Sequence, residues 1–380
     1  MRKKIAVVTS SRAEYGLLYR LLKRLRSDKD FKLQLIATGA HLSAEFGNTV
    51  DVIKKDGFSP VAEVDVLLSG DSPASMAKST GIGICGFSDI FTCLKPDILL
   101  VLGDRFEIFS AAYAAKILGV PIIHISGGDT TAGAIDDVLR HSISLMSALH
   151  FVKLESHKQK LINLGVNPLD IHIVGYLGLE NAACLKAMSK TEIEDKIGMK
   201  LRSPMGLITF HPVTNPRNDY DNKVENLLTA LSGFKELRCV FTAANEDSGG
   251  RAINRAIESY CRAREDRSVF IKNLGQKAYL SLMARCDVVV GNSSSGILES
   301  GFFKAPVVNI EPRESGRLKN NNVIGSENKK ADLICAIRSA LSDEFRRECG
   351  VMKNIYEVIP AKDISAIILA EIKRRFNLRA

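Results

Sequence analysis

The sequence predicts two doubly wound, Rossmann-like α/β domains. The chain has 380 residues, longer than one hydrophobic core usually grows, so two domains of roughly 150 to 200 residues are expected. Short β-branched runs alternate with segments of helical period throughout, as parallel sheets buried on both faces require. The alternation breaks once, at "VGYLGLENAACLKAMSKTEIEDKIGMKLRSP", where Gly175 and Gly178 precede a polar helical stretch. The expected division is therefore an N-terminal domain over 1–175 and a C-terminal domain over 176–360. The amphipathic segment 361–380 is expected to return and brace the first. In open parallel sheets ligands bind beyond the carboxyl ends of the strands, so the site is expected in a cleft between the two domains.

In chain order, the first domain offers the strands "KIAVVT", "KLQLIAT", "DILLVLG", "VPIIHIS" and "DIHIVG". The second offers "MGLITF", "RCVFTA", "DVVVGN" and "APVVNI". One glycine pattern is a decoy. "GIGICG" (Gly81, Gly83, Gly86) fits the spacing of a dinucleotide fingerprint, yet such glycines belong in the turn directly after a strand. Here "SPASMAKST", helical in character, intervenes after the strand candidate "VAEVDVLL". Close helix packing explains these glycines better.

A formal charge of +9 suits an anionic partner. The basic residues are scattered, however, Trp is absent and no nucleic-acid signature is present, so nucleic acid is not expected as a partner. Eight widely spaced cysteines, without a CxxC pair or histidines at metal spacing, read as reduced, small apolar residues of a cytoplasmic protein, and no metal site is expected. No segment approaches the roughly 18 consecutive apolar residues of a membrane span.

The clearest anion site is "DVVVGNSSSGILES". A strand ends at Gly291, Ser293, Ser294 and Ser295 form a tight turn, and a helix opens near Gly296. Hydroxyls, backbone N–H groups and a helix dipole thus converge on one spot, which a phosphate would fit; a serine-rich cap on an ordinary loop is the plainer account. Arg313 and Arg317 in "EPRESGR" follow the next strand and add two cations. In the first domain, "TSSRAEYG" offers Arg12, "GDRFE" offers Asp104 and Arg105, and "HISGGDTTAGAIDDVLRH" offers Ser126, Asp129, Asp136, Asp137 and Arg140 between two histidines. Gly127 and Gly128 would let backbone approach a ligand. Pairing of Asp136 with Arg140 and Asp137 with His141, four residues apart, accounts for the helix. It does not account for Asp104 and Asp129 on neighbouring strand ends, where several acids suit proton removal and return. His211, in "ITFHPVTNP", ends a strand of the second domain just before a proline.

The set "GDRFE", "HISGGDTTAGAIDDVLRH", "FHPVT" and "GNSSSGILE...VVNIEPRESGR", in that order, closely resembles the hydrolysing UDP-N-acetylglucosamine 2-epimerases of sialic-acid and legionaminic-acid synthesis. The resemblance implies a GT-B-type fold, no metal or redox cofactor, a UDP-sugar substrate, UDP as product and a homo-oligomer, dimer or tetramer. Asp104, Asp136 and Asp137 then correspond to acid/base participants with Asp129 close by, and His211 to a histidine that assists departure of UDP. Arg12, Ser293, Ser294, Glu299 and Arg313 match nucleotide-holding positions, Glu299 on the ribose hydroxyls, with Arg317 beside them. His41, in "TGAHLS", matches a sugar-pocket histidine. Some members carry Glu where this chain has Ser126, and many carry Glu at Asp129, so the acid that takes the C2 proton stays open among these carboxylates. The sugar stays open too, between N-acetylglucosamine and a 2,4-diacetamido-2,4,6-trideoxyhexose.

Overall fold

The computed structural model describes residues 2–44, 47–68, 70, 72–130, 135–212, 220–244, 249–310 and 316–377. It divides into two compact units, Met1–Asn181 with Glu357–Ala380, and Ala182–Tyr356.

Unit 1 is built on seven strands: β1 (Lys3–Thr9), β2 (Phe31–Thr38), β3 (Ala62–Val64), β4 (Ile98–Leu102), β5 (Ile122–Ile125), β6 (Leu149–Val152) and β7 (Ile171–Ile173). All pair in parallel, in the order β3-β2-β1-β4-β5-β6-β7. Helices α1 (Arg12–Ser27), α2 (Val50–Lys55), α3 (Pro73–Leu94), α4 (Phe106–Ile117), α5 (Ile135–Met146) and α6 (Glu155–Asn163) connect them. The order reverses between β1 and β4, so the loops after those strands diverge and leave room for a ligand. Ile5, Val7 and Val8 of β1 and Leu99 to Val101 of β4 are fully buried, because helices cover both faces.

Helix α7 (Gly178–Ala183) crosses the boundary. Unit 2 follows with β8 (Met205–Thr209), β9 (Arg238–Thr242), β10 (Ser268–Ile271), β11 (Val288–Gly291), β12 (Val307–Ile310) and β13 (Val323–Ser326). These six are also parallel, in the order β10-β9-β8-β11-β12-β13, with the reversal between β8 and β11. Its helices are α8 (Lys190–Ile197), α9 (Tyr220–Ser232), α10 (Gly250–Arg262), α11 (Gln276–Met283), α12 (Ser295–Leu298), α13 (Ser300–Phe303), α14 (Lys330–Ala340) and α15 (Asp343–Val351). Helix α8 shows how sequence fixes an element. Ser189 accepts from the Glu192 N–H while Glu192 accepts from the Ser189 N–H, and Gly198, at φ 70°, ends the helix.

The last helix, α16 (Ile364–Arg375), belongs to unit 1 and packs on α1. Its start is fastened by a buried carboxylate. Glu180 accepts from the Ser365 N–H at 2.8 Å and hydroxyl at 2.7 Å, while Arg24 of α1 donates to the same hydroxyl at 2.7 Å. At the other end Lys373 bridges Asp28 and Asp30 at 2.7 and 2.9 Å.

The decoy glycines lie inside α3, not in a strand-to-helix turn. A Cβ on Gly83 would meet Ser110 of α4 at 2.9 Å, and one on Gly86 would meet Val64 at 2.8 Å, so these two are packing glycines. The cysteines are free, but only Cys239, Cys261, Cys286 and Cys349 are buried; Cys85, Cys93 and Cys335 are exposed. No helix among the described residues is long and apolar enough to cross a membrane.

Candidate active site

In unit 1 the loops after β1, β4, β5 and β6 open on the same sheet edge. The largest buried side chain there is Arg140 of α5, only 1% exposed. Its guanidinium pairs with the carboxylates of Asp104, just beyond β4, and Asp137, one turn back on α5, and donates to the Asp129 carbonyl at 2.8 Å. Burial opposes its charge, but those acids hold its pKa above the usual arginine value. One buried cation therefore gathers three of the predicted acidic positions. The pairing differs in register from the expected one: Asp137 meets Arg140, three residues on, where the sequence suggested His141. Asp136 is half-buried on the same first turn.

Asp129 itself is 4% exposed. Its carboxylate pairs with Lys153 at the end of β6, accepts from the Thr130 N–H at 2.8 Å and lies 3.8 Å from His157 Nε2. His157 is held near 4, mainly by burial. The two glycines before it serve packing: a Cβ on Gly128 (φ +73°) would sit 2.4 Å from the His157 carbonyl, and one on Gly127 2.8 Å from the Ser144 hydroxyl. These glycines let the loop come close to α5 and α6. Ser126 is half-buried, with φ 70° and its N–H on the Phe151 carbonyl. His124 donates from Nε2 to the Gly103 carbonyl at 2.8 Å and accepts at Nδ1 from Ser144 at 3.0 Å, which fixes the backbone just ahead of Asp104.

Next to Asp104, Arg105 is gripped by Glu107 through two hydrogen bonds of 3.1 and 3.2 Å. Glu107 is fully buried, whereas the Arg105 side chain is 44% exposed. Glu14 folds back on Ser10, accepting from its N–H at 2.7 Å, and burial pushes its pKa up to about 7 against the pull of Arg105. His41 is buried between Thr9 and Thr49, 3.1 and 2.8 Å from its ring nitrogens, and burial lowers it to about 4. Arg12, the first residue of α1, is half-buried.

Unit 2 contributes the serine turn. Gly291 ends β11 with φ +146°, and a Cβ there would lie 1.8 Å from the Thr209 carbonyl, so only glycine fits. Asn292, 1% exposed, follows. Its Oδ1 accepts from the His211 N–H at 2.7 Å and its Nδ2 donates to the His211 carbonyl at 2.8 Å. Both backbone groups of His211 are thereby fixed two residues beyond β8. Ser293, Ser294 and Ser295 are half-buried and Gly296 is buried. The Gly296 N–H is used within the turn, on the Ser293 carbonyl at 3.0 Å. Glu299 is 8% exposed, accepts from the Ser295 hydroxyl, and is raised to about 7 by burial. Arg317 is half-buried, and Arg313 lies outside the described residues. Among the described residues no group of three or more His, Cys, Asp or Glu side chains is placed to hold a metal ion.

Four residues here were not assigned from sequence: Asn292, Glu14, Glu107 and Lys153. Asn292, Glu14 and Glu107 stand inside the quoted motifs, within two positions of residues that were assigned. Lys153 directly follows β6, a strand that the alternation did not reveal.

Residues 23–365 match a family model described as UDP-N-acetylglucosamine 2-epimerase. The chain is 40% identical over 346 residues to the GDP/UDP-N,N'-diacetylbacillosamine 2-epimerase (hydrolyzing) of Campylobacter jejuni, covering 91% of this chain and 89% of that protein. It is 35% identical over 342 residues to the UDP-N,N'-diacetylbacillosamine 2-epimerase (hydrolyzing) of Legionella pneumophila, covering 90% of each. In fold it is similar to the UDP-GlcNAc 2-epimerase of Neisseria meningitidis, crystallised with UDP-GlcNAc, with a TM-score of 0.83 at 17% identity over 98% of this chain and 100% of that one.

Proposed function

The chain belongs to the UDP-N-acetylglucosamine 2-epimerase family, and we propose that it is the hydrolysing enzyme that converts UDP-N-acetylglucosamine and water to N-acetylmannosamine and UDP. A carboxylate takes the C2 proton, the C1–O bond to UDP breaks, and the electron pair left at C2 closes the double bond of a 2-acetamidoglucal. Water then adds its oxygen at C1 while C2 is protonated from the opposite face.

The observation that carries this reading is the Arg140 knot. Removing a proton from one face of C2 and delivering one to the other needs at least two acids fixed relative to each other. Asp104 and Asp137, on separate elements, share one buried guanidinium. Asp104, Asp136 and Asp137 are assigned to proton transfer. Asp129, closed in by Lys153, steadies Arg140 and α6. His211 is assigned to the departing UDP, with its backbone set by Asn292. The serine turn, Glu299 and the two arginines at 313 and 317 are assigned to the nucleotide.

A second reading has a specific observation behind it. The relatives at 40% and 35% identity both carry the N,N'-diacetylbacillosamine name, one with GDP as well as UDP. Proton NMR in D₂O separates the two. Purified protein is given UDP-N-acetylglucosamine or the UDP- or GDP-linked diacetamido sugar, and free nucleotide and deuterium at C2 are followed. Turnover of the first supports the proposal, turnover of the diacetamido sugar alone replaces it with the second reading, and release from none refutes both.

A further inference from the structure

We propose that Asn320, Asn322, Asn354 and Tyr356 are positioning residues for the nucleotide, tying the backbone that carries Arg317 to the helical turn that follows Glu299. The inference rests on the assignment of Glu299 and Arg317 to the nucleotide and goes further, naming what holds them in register. The stretch "RLKNNNV" opens on Arg317 and leads into β13. Asn321 is exposed, but Asn320 and Asn322 are 3% and 0% exposed, and Asn354, in the last stretch of unit 2, is 4% exposed. Amides sealed from water to that degree need partners. Here the partners lie beside the two nucleotide groups.

One arm of the network reaches Glu299. Asn322 Nδ2 donates to the Ser300 hydroxyl at 2.9 Å and to the Ala305 carbonyl at 2.6 Å, so it spans α13 from its first residue to just beyond its end. Ser300 directly follows Glu299, and its hydroxyl donates in turn to the Gly296 carbonyl of α12 at 2.6 Å. The other arm reaches Arg317. The hydroxyl of Tyr356, a residue 1% exposed, donates at 2.6 Å to the carbonyl of Leu318, the next residue along. Asn320 joins the arms: its Oδ1 accepts from the Ile355 N–H at 2.8 Å, and its Nδ2 donates to Asn354 Oδ1 at 3.1 Å. That same oxygen accepts from the Tyr356 N–H at 3.1 Å. A Cβ on Gly301 would sit 2.5 Å from Asn320 Nδ2 and 3.0 Å from Asn354 Oδ1, so α13 lies directly on this amide pair. Lys304, just past α13, donates to the Met352 carbonyl.

Closing the end of unit 2 does not by itself call for this wiring. Apolar side chains of the same shape would cover the segment at similar cost, because a buried, hydrogen-bonded amide adds little net stability over them. What the amides add is direction. Each holds a backbone group at a set distance and angle, and a connected set keeps a loop and a helix in one arrangement. A guanidinium and a carboxylate that must meet one nucleotide together gain from having that arrangement before the ligand arrives.

Calorimetry with UDP on the whole protein tests the proposal. Y356F removes one hydroxyl, keeps the ring, and should raise the UDP dissociation constant about 3- to 10-fold. Tyr356 acts through the backbone of Arg317, so its effect should vanish where the guanidinium is gone. R317M should weaken UDP binding by about tenfold or more, and R317M/Y356F should stay within about twofold of R317M. Melting curves confirm that each variant is folded. Hydrogen exchange on the unaltered protein needs no variant and decides alone should Y356F not fold: UDP should slow exchange of the Ile355 N–H, followed in a peptide covering 352–358. Y356F binding as the unaltered chain does, R317M without effect, losses that add in the double variant, or an Ile355 N–H indifferent to UDP would each overturn the inference while UDP binding itself stands. An unaltered chain that binds no UDP would overturn the nucleotide reading and this inference with it.

Discussion

Arg140 and Asp104 stand 36 positions apart in the chain and meet as a buried ion pair at the carboxyl end of the unit 1 sheet. The arginine is 2% exposed in its side chain and the aspartate 27%, so the acid keeps one side open while the cation is sealed behind it. A pair of this kind fixes direction. The open side of the carboxylate can address a substrate without the side chain sampling other rotamers.

Asp104→Asn keeps the shape and removes the proton acceptor. Turnover should fall by roughly 10² to 10⁴, while UDP affinity, measured by calorimetry, should stay within about threefold of the starting value. Normal turnover in this variant would make Asp104 structural. Arg140→Met should also destabilise the fold, by about 3 to 5 kcal/mol, because the acids around it lose their counter-charge. Urea denaturation reads that loss.

Asn292→Asp isolates the clamp on His211. An aspartate still accepts from the His211 N–H, but it cannot donate to the His211 carbonyl as Nδ2 does at 2.8 Å. Two acceptors then face each other in a buried site, at a cost of about 1 to 3 kcal/mol. With His211 displaced, kcat should drop about 10- to 100-fold, the range expected of a misplaced group, with little change in UDP affinity. Unchanged kcat would remove His211 from the chemistry or Asn292 from its positioning.

If Glu299 holds the ribose as proposed, nucleotide binding is expected to depend on pH. Its folded pKa is raised from 4.5 to about 7 by burial. Between those values the folded protein holds a proton that the unfolded chain has lost, so this group's contribution to stability falls as pH rises through that window. Ribose hydroxyls donating to the carboxylate would favour its charged form and expel the proton. UDP binding near pH 6 should therefore release a proton from this carboxyl, detected as a buffer-dependent heat, and Glu299→Gln should reduce the number of protons released. A proton count that is the same in both proteins would place the ribose elsewhere.

Gly291→Ala tests the turn that carries the serines. The added carbon would fall 1.8 Å from the Thr209 carbonyl in a backbone region that L-residues avoid. Destabilisation of at least about 3 kcal/mol, or failure to fold, is expected. Gly81→Ala, with nothing within 4 Å of the new carbon, is the matched control and should be near neutral or slightly stabilising in thermal melts.

The fold class was legible because buried parallel strands print themselves as β-branched runs, as in "DILLVLG" for β4 and "DVVVGN" for β11. Strands β6, β10 and β13 escaped that reading. "LHFV" in β6 has a single β-branched residue, "SVFI" in β10 opens on a serine after the polar run "RAREDR", and "VIGS" in β13 carries a glycine and a serine. Their identity comes from the neighbours they pair with. The site was legible where a residue type declares its chemistry, as with the acids at the strand ends. Its wiring was not. Nothing local in "AIDDVLRH" says that Arg140 reaches Asp104 in another loop, and nothing in "GNSSSG" says that Asn292 holds the backbone of His211. Such contacts depend on strand order, and β4 with β5 or β8 with β11 become neighbours only once the sheets are wound.

The fastening of Ser365 by Glu180 and Arg24 has a consequence for biosynthesis. The unit 1 sheet emerges from the ribosome long before the helix that clasps its α1, whereas the second unit is one uninterrupted stretch of chain. Ala182–Tyr356 can thus collapse as it is made, while the earlier segment waits with its first helix lacking the packing of α16 until residues past 364 arrive. The portion translated first is the portion completed last.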